Sequence, residues 1–229
     1  MRSIIVLAVS ISGLVAQSQA ATTCISFRSG YIGNAPGVVG QSEDNINVLA
    51  GSMLTPIAMT AGNFAAAAGG PAAVCVQPLV WNPTLAADPL ARWINPVSNP
   101  YGQPMSALYA VDLGPLVNWN TATSASLTIH WMVDDSLGDP SAFNGVFLNA
   151  PGNSLGLGGG NYATQTSATS INVPVSWLQA NNTLYLYQAD VGAGLSGIIF
   201  SGELCVVPAP GTVGLAGLGG LAICRRRRR

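Results

Sequence analysis

The 229-residue chain has no lysine and a single histidine, His130, and only 7% of its residues are charged. Without lysine it cannot build a Walker phosphate loop, so the glycines at 158–160 read as a turn. One histidine leaves little material for nucleophilic catalysis. The nearest approach to a nucleophile elbow, Gly194-Leu195-Ser196-Gly197, fails because Ile198 stands where the second glycine belongs. A lone histidine on a strand is ordinarily a solvated surface group, so a hydrolase ranks last among the readings. Long apolar runs are also missing near the start, where the run at 4–16 is shorter than the about 20 residues a helix needs to cross a bilayer.

That short run has another use. Arg2, the apolar stretch and Ser18-Gln19-Ala20 supply the charge, greasy centre and small residues of a secretory signal, with cleavage expected after Ala20. Cys24 follows closely, but Ala21, Thr22 and Thr23 lack the apolar residue of a lipidation box, so export without lipidation is expected. Between residues 21 and 207, two arginines (Arg28 and Arg92) stand against nine acidic residues, a balance of −7. That excess disfavours nucleic acid and anionic membrane surfaces as partners, because both demand cationic neutralisation. Sparse charge with abundant Gly, Ser, Thr, Asn and Ala suits a loop-rich secreted β protein, and the span 21–206 is long enough for one domain with its own core.

The other end reads Val207-Pro208-Ala209-Pro210, then an almost wholly apolar segment at 211–224, then Arg225, Arg226, Arg227, Arg228 and Arg229. This order resembles the PEP-CTERM tail of bacterial envelope proteins, with Ala209 where the family usually has Glu. The resemblance implies recognition and cleavage by an exosortase in the membrane, and an ectodomain at the cell surface or in the extracellular matrix. Elementary physics agrees. Five guanidinium groups do not cross a bilayer cheaply, so they hold the C-terminus inside while the signal sends the rest out through a membrane-spanning precursor. Pro208 and Pro210 keep their segment extended and free of helix, which predicts accessible backbone for a processing enzyme. A nucleic-acid-binding arginine run would not abut an apolar segment.

Between the ends, 21–75 reads as irregular, with Gly-Pro turns, a polar stretch at 41–47 and an alanine-rich patch at 65–68 able to form a short helix. From Met105 onward the β pattern strengthens. Leu127, Ile129, Trp131 and Val133 fall on one face of a strand, with Thr128, His130 and Met132 on the other. Further strands are expected at 107–113, 145–148, 171–175, 183–187 and 197–206, divided by Gly, Asn, Pro and Ser turns. No helical period competes with them, and no βαβ rhythm appears. Short strands at roughly ten-residue spacing predict an all-β antiparallel sandwich or jelly roll.

Within it, W-I-N-P at 93–96, D-D-S-L-G-D-P at 134–140, N-G-V-F-L-N at 144–149, N-T-L-Y-L-Y-Q at 182–188 and S-G-I-I-F-S at 196–201 come in an order that resembles galactose-binding-like modules. Those modules often place glycine after the V-F-L-N strand, where this chain has Ala150. A fold-level likeness does not by itself transfer sugar binding.

Three groups of residues are candidates for chemistry. Asp134, Asp135 and Asp139 crowd one strand end and could offer oxygen ligands to Ca²⁺, although the spacing is not that of an EF-hand and an Asx-rich turn needs the same residues. Trp119 and Trp177, in Asn-rich or pre-loop settings, are the candidates for stacking on sugar rings, against the demand of a small-residue chain for large core side chains. The exported part holds Cys24, Cys75 and Cys205, an odd count that leaves one thiol unpaired or bridged to another molecule. Spacing does not settle the pairing. Cys24 with Cys205 leads, because a sandwich often brings its first and last strands together, ahead of Cys24 with Cys75 and Cys75 with Cys205. Taken together, these residues predict a non-catalytic exported protein whose sandwich binds or decorates polysaccharide, followed by a purely structural envelope or biofilm component and then by a secreted hydrolase.

Overall fold

The computed structural model describes residues 21–51, 59–101, 106–139, 144–190 and 194–209. The expected signal peptide, Pro210, the apolar segment and the arginine cluster lie outside these residues. Among the described residues no helix is long and apolar enough to cross a membrane.

The strands are β1 (Thr23–Arg28), β2 (Tyr31–Ile32), β3 (Ala35–Pro36), β4 (Ser42–Ala50), β5 (Ala72–Cys75), β6 (Ile94–Asn95), β7 (Ala107–Pro115), β8 (Ala122–Asp134), β9 (Ser136–Leu137), β10 (Val146–Leu148), β11 (Thr166–Asn172), β12 (Asn181–Ala189) and β13 (Gly197–Pro208). All their pairings are antiparallel. One layer runs β10–β12–β7–β4 and the other β1–β13–β8–β11, with short β5 and β6 linking β4 to β13 at one edge. The protein is an all-β sandwich.

Alternation explains the layers. Leu127, Ile129, Trp131 and Val133 of β8 point inward with Phe200, Leu204 and Val206 of β13, and meet Tyr109, Val111, Leu184 and Leu186 from the facing layer. Each fully buried side chain of this kind stabilises substantially, and trimming Phe200 to alanine would cost about 3–5 kcal/mol. The Trp131 indole N–H donates to the Gly159 carbonyl at 2.9 Å. The 158–160 turn therefore closes over Trp131. A side chain at Gly160 (φ +98°) would strike that indole.

Two coverings seal parts of the outer faces. On the first layer, the helix α1 (Ala61–Ala68) begins at Thr60, whose hydroxyl and the Asn63 side chain cap each other's backbone N–H, and ends at Gly69. Its Phe64 and Ala67 sit on Leu108, Ala110, Phe147, Tyr185 and Tyr187. On the second layer, the segment 76–93 covers Met132 and Ile199 with Val76, Trp81, Leu85 and Trp93. Trp81 and Trp93 stack with ring centroids 4.3 Å apart.

The region 21–75 departs from the irregular stretch expected of it. It contributes β1 to β5, and the short helix, Ala61–Ala68, starts four residues before the alanine-rich patch and ends with it. Ile46 and Val48 of β4 are core residues, but Asn45 and Asn47 alternate with them and an acidic pair precedes them, so the strand has too little apolar character to stand out. Residues 171–175 also differ from expectation: the strand ends at Asn172, and Val175–Trp177 form a 3₁₀ turn.

Candidate functional site

The sorting motif grows directly out of the sandwich. β13 continues through Val207 and Pro208, which pair with Ser124 and Ala122 of β8. The Thr123 hydroxyl donates to the Val207 carbonyl at 3.0 Å. Pro208 is buried, and the compact unit runs from Thr22 to Pro208. A proline closes the strand without difficulty, since the ladder needs no further donor there. The segment is extended and free of helix as expected, but the expectation of accessible backbone is corrected for Val207 and Pro208, which belong to the ladder; Ala209 is exposed.

The same corner is stapled. β1 pairs with β13 so that Cys24 lies opposite Cys205, and the two are joined by a disulfide. Cys75 is a free thiol, 1% exposed. Burial pushes it up to about 11, Glu43 adds to the rise, and Arg92 opposes it. A thiol so placed is inert.

At the opposite end β8 finishes in the three candidate aspartates. Asp134 turns inward: its carboxylate accepts the Trp81 indole N–H at 2.8 Å. Burial raises it to about 6, against the Trp81 hydrogen bond, with Asp135 and Asp190 adding repulsion. Beneath it the interior is polar. The Tyr109 hydroxyl donates to Gln188 Oε1 at 3.0 Å, and Gln188 Nε2 donates to the Asp134 carbonyl and to Ser196 Oγ. Asp135 is exposed and Asp139 half-buried. Among the described residues, Asp134, Asp135 and Asp139 do not bring three ligand oxygens within 4.8 Å of one another; the group that does combine at that distance is Cys24, Glu203 and Cys205, whose cysteines are bonded to each other. The aspartate turn is thus first of all a capped strand end.

The two candidate stacking residues lie at the tail end. Trp119 opens the 3₁₀ turn Trp119–Thr121 and is 36% exposed, whereas Trp177 is half-buried against the core. They do not form a paired platform in the ring contacts of the described residues. His130 Nδ1 lies 2.8 Å from Ser167 Oγ on the outer face of the second layer. This pair sits on an open sheet and not in a cleft with a buried acid.

A groove that the sequence did not announce lies on the outer face of the first layer, beyond the end of α1. It encloses about 480 Å³ and is lined by Asp44, Asn45, Asn47, Asp112, Asn181 and Thr183, among others. The Ile46–Val111 register sets Asn45 beside Asp112, and Thr183 pairs with Asp112 from the other side. These three polar side chains form a row across three strands, at about 4.8 Å per strand. A smaller cleft of about 260 Å³ adjoins it and shares Asn45 and Asp112, adding Ser26, Arg28, Tyr31 and Glu43. Glu43 accepts the Gly30 N–H; burial raises it to about 7 despite that bond, and Asp44 adds to the rise. The only hint in the sequence was the polar stretch 41–47, whose strand period is short.

Comparison with known proteins decides the character of the C-terminus. Residues 206–229 match the PEP-CTERM protein-sorting motif. No curated protein and no solved structure matches the chain. The PEP-CTERM motif marks an exported protein of the cell envelope and a substrate for an exosortase. The match begins at Val206, so it overlaps the last three residues of β13.

Proposed function

We propose that this is a non-catalytic cell-surface or extracellular-matrix protein whose precursor spans the membrane through residues 211–224, is cut by its exosortase near Pro210, and displays a polysaccharide-binding sandwich. The observation that carries it is the sorting motif fused to the final strand without a linker. Intact mass of the surface form from the native host tests the sorting half. The processed form lacks Arg229; mature protein still carrying Arg229 would make the tail a permanent anchor.

The groove supports the ligand half. Amide, carboxylate and hydroxyl groups from Asn45, Asp112, Thr183 and Asn181 offer both donors and acceptors on a rigid floor, which suits the hydroxyls of a neutral glycan. The motif order that resembles galactose-binding-like modules points the same way. A glycan array probed with the full chain, with and without Ca²⁺, should show binding that the Asn45→Ala, Thr183→Ala double variant loses. A silent array at high protein density would leave the purely structural envelope role in its place. Calcium-dependent binding would assign Asp134, Asp135 and Asp139 a part that their present arrangement does not display.

A further inference from the structure

The end of the sandwich from which the tail departs combines exposed apolar side chains with an absence of charge; a second exposed apolar group, Val38, Val39, Leu79 and Val80, lies in other segments. The tail end is made by the ends of β7, β11 and β13, the starts of β1, β8 and β12, and the two segments 116–121 and 173–180 that pass between the layers. The segments are tied down from inside: the Leu116 N–H donates to the Ala180 carbonyl and the Val173 N–H to the Ala125 carbonyl, and Leu116, Val173 and Leu178 are core residues. Most of their other residues are exposed, Pro174 and Trp177 being half-buried. Val117 is 61% exposed, Val175 40%, Val207 36% and Trp119 36%. Scattered apolar residues are normal on any protein, but four at one end, around the point where an apolar tail leaves, are a different matter.

Charge gives the second observation. No Asp, Glu, Lys or Arg occurs at 21–27, 113–133, 140–189 or 204–224. Those spans include each segment named above; only β4, antiparallel to β7, brings charge toward this end, with Glu43 and Asp44 in its first three residues. Asp112 stands back from the end of β7 by three strand residues, roughly 10 Å, and Asp44 and the buried Glu43 lie beside it at the start of β4. The other end carries Asp134, Asp135, Asp139 and Asp190. A domain with a balance of −7 therefore has one end that can approach lipid without desolvating a carboxylate.

We propose that this end is a membrane-docking face, with Trp119, Val117, Val175 and Val207 seated at the headgroup level of the bilayer that the tail enters. The inference rests on the reading that residues 211–224 span that bilayer. Trp is the side chain best suited to the site, because its ring is apolar and its N–H finds water or headgroup oxygen there. Interfacial apolar faces come to rest at about 5–10 Å, and docking at the shallow end of that range leaves Asp112 in water. Docking holds the acidic end away from the membrane and keeps the motif against the surface where an integral membrane enzyme works.

The test uses the full chain reconstituted into phosphatidylcholine vesicles whose acyl chains are brominated near the glycerol. Flotation after carbonate washing reports whether the tail is embedded, and tryptophan quenching reports docking. The chain floats, and Trp119→Phe removes most of the bromine-dependent quenching, because Trp81, Trp93 and Trp131 are buried and Trp177 is half-covered. The pair Val117→Asp and Val175→Asp, with Trp119 intact, lowers quenching to the same level without loss of flotation. Val80→Asp, at an exposed site on the segment that covers the second layer, leaves quenching unchanged. A chain that floats but whose quenching is indifferent to Trp119 overturns the docking face alone. A chain that does not float overturns the membrane-spanning tail and the docking with it. Trp119 shielded in detergent by a second copy of the chain, and unquenched in the vesicles, likewise overturns the docking.

Discussion

Where β8 ends, a buried chain of hydrogen bonds from Tyr109 through Gln188 to Ser196 and the Asp134 backbone lies beneath carboxylates that repel one another. Where β13 ends, no charge is present in the segments that close the sandwich, and the contacts are apolar side chains and one disulfide. The first end depends on protonation and on complete pairing of polar groups; the second depends on neither. Both belong to one domain with a shared core, so the difference tracks what each end faces and not how each folds. The corner that presents the sorting motif is held by apolar packing and a disulfide, which do not respond to protonation.

Breaking the staple should have the largest effect. Replacing Cys24 and Cys205 by serine frees a loop closed over a sequence separation of 181 residues, and the loss should be about 5 kcal/mol by the chain-entropy relation, read from urea midpoints with and without reductant. A loss near zero would show that pairing of β1 with β13 alone fixes this corner, and the contrast between the ends would weaken.

A pH series comes next. Asp134 and Glu43 are both raised in the folded state, to about 6 and about 7 from ordinary values of 3.8 and 4.5. Within those windows the native state binds more protons than the unfolded chain, so stability falls as pH rises. The contribution is fully present below about pH 4 and lost by about pH 7, with up to about 3 kcal/mol from each group. Asp134→Asn should flatten the part between about pH 4 and 6, and Glu43→Gln the part from about 4.5 to 7. A midpoint that climbs with pH over this range contradicts both assignments.

The smallest effect expected is that of Gln188→Leu, which leaves the Tyr109 hydroxyl and the Asp134 carbonyl short of a partner inside the sandwich. About 2 kcal/mol should be lost in a thermal or urea melt. A neutral result would mean that water replaces the amide and that this end is wetter than its burial suggests.

Much of the second layer was legible in the sequence because one strand, β8, alternates without interruption for long enough to declare its faces, and Trp131 lies inward as that alternation predicts. The first half of the chain was not. Its longest strand, β4, opens with Ser-Glu-Asp-Asn, and Glu43 is a carboxylate on an otherwise buried position, which no hydrophobic pattern reveals. The groove depends on register between β4, β7 and β12, which brings together Asn45, Asp112 and Thr183 from positions far apart in sequence. Asp134 illustrates the converse: three acids in six residues look like a ligand set, but the cover segment that carries Trp81 turns one of them inward. The sorting motif was fully legible as a string of residues. Its fusion to β13 was not, because a proline is read locally as a break, whereas here it terminates a ladder that runs up to it.

The position of β13 in the sheet also sets a schedule. It is the last strand of the domain, yet it lies between β8 on one side and β1 and β6 on the other, and β1 has no other strand partner among the described residues. A chain emerging from its N-terminus must therefore keep its first strand waiting until the whole domain has been translocated, a high-contact-order arrangement that closes late. The Cys24–Cys205 bond then becomes a completion mark: it forms only on molecules whose export has reached the sorting motif, and only those present a finished strand end to the enzyme that follows.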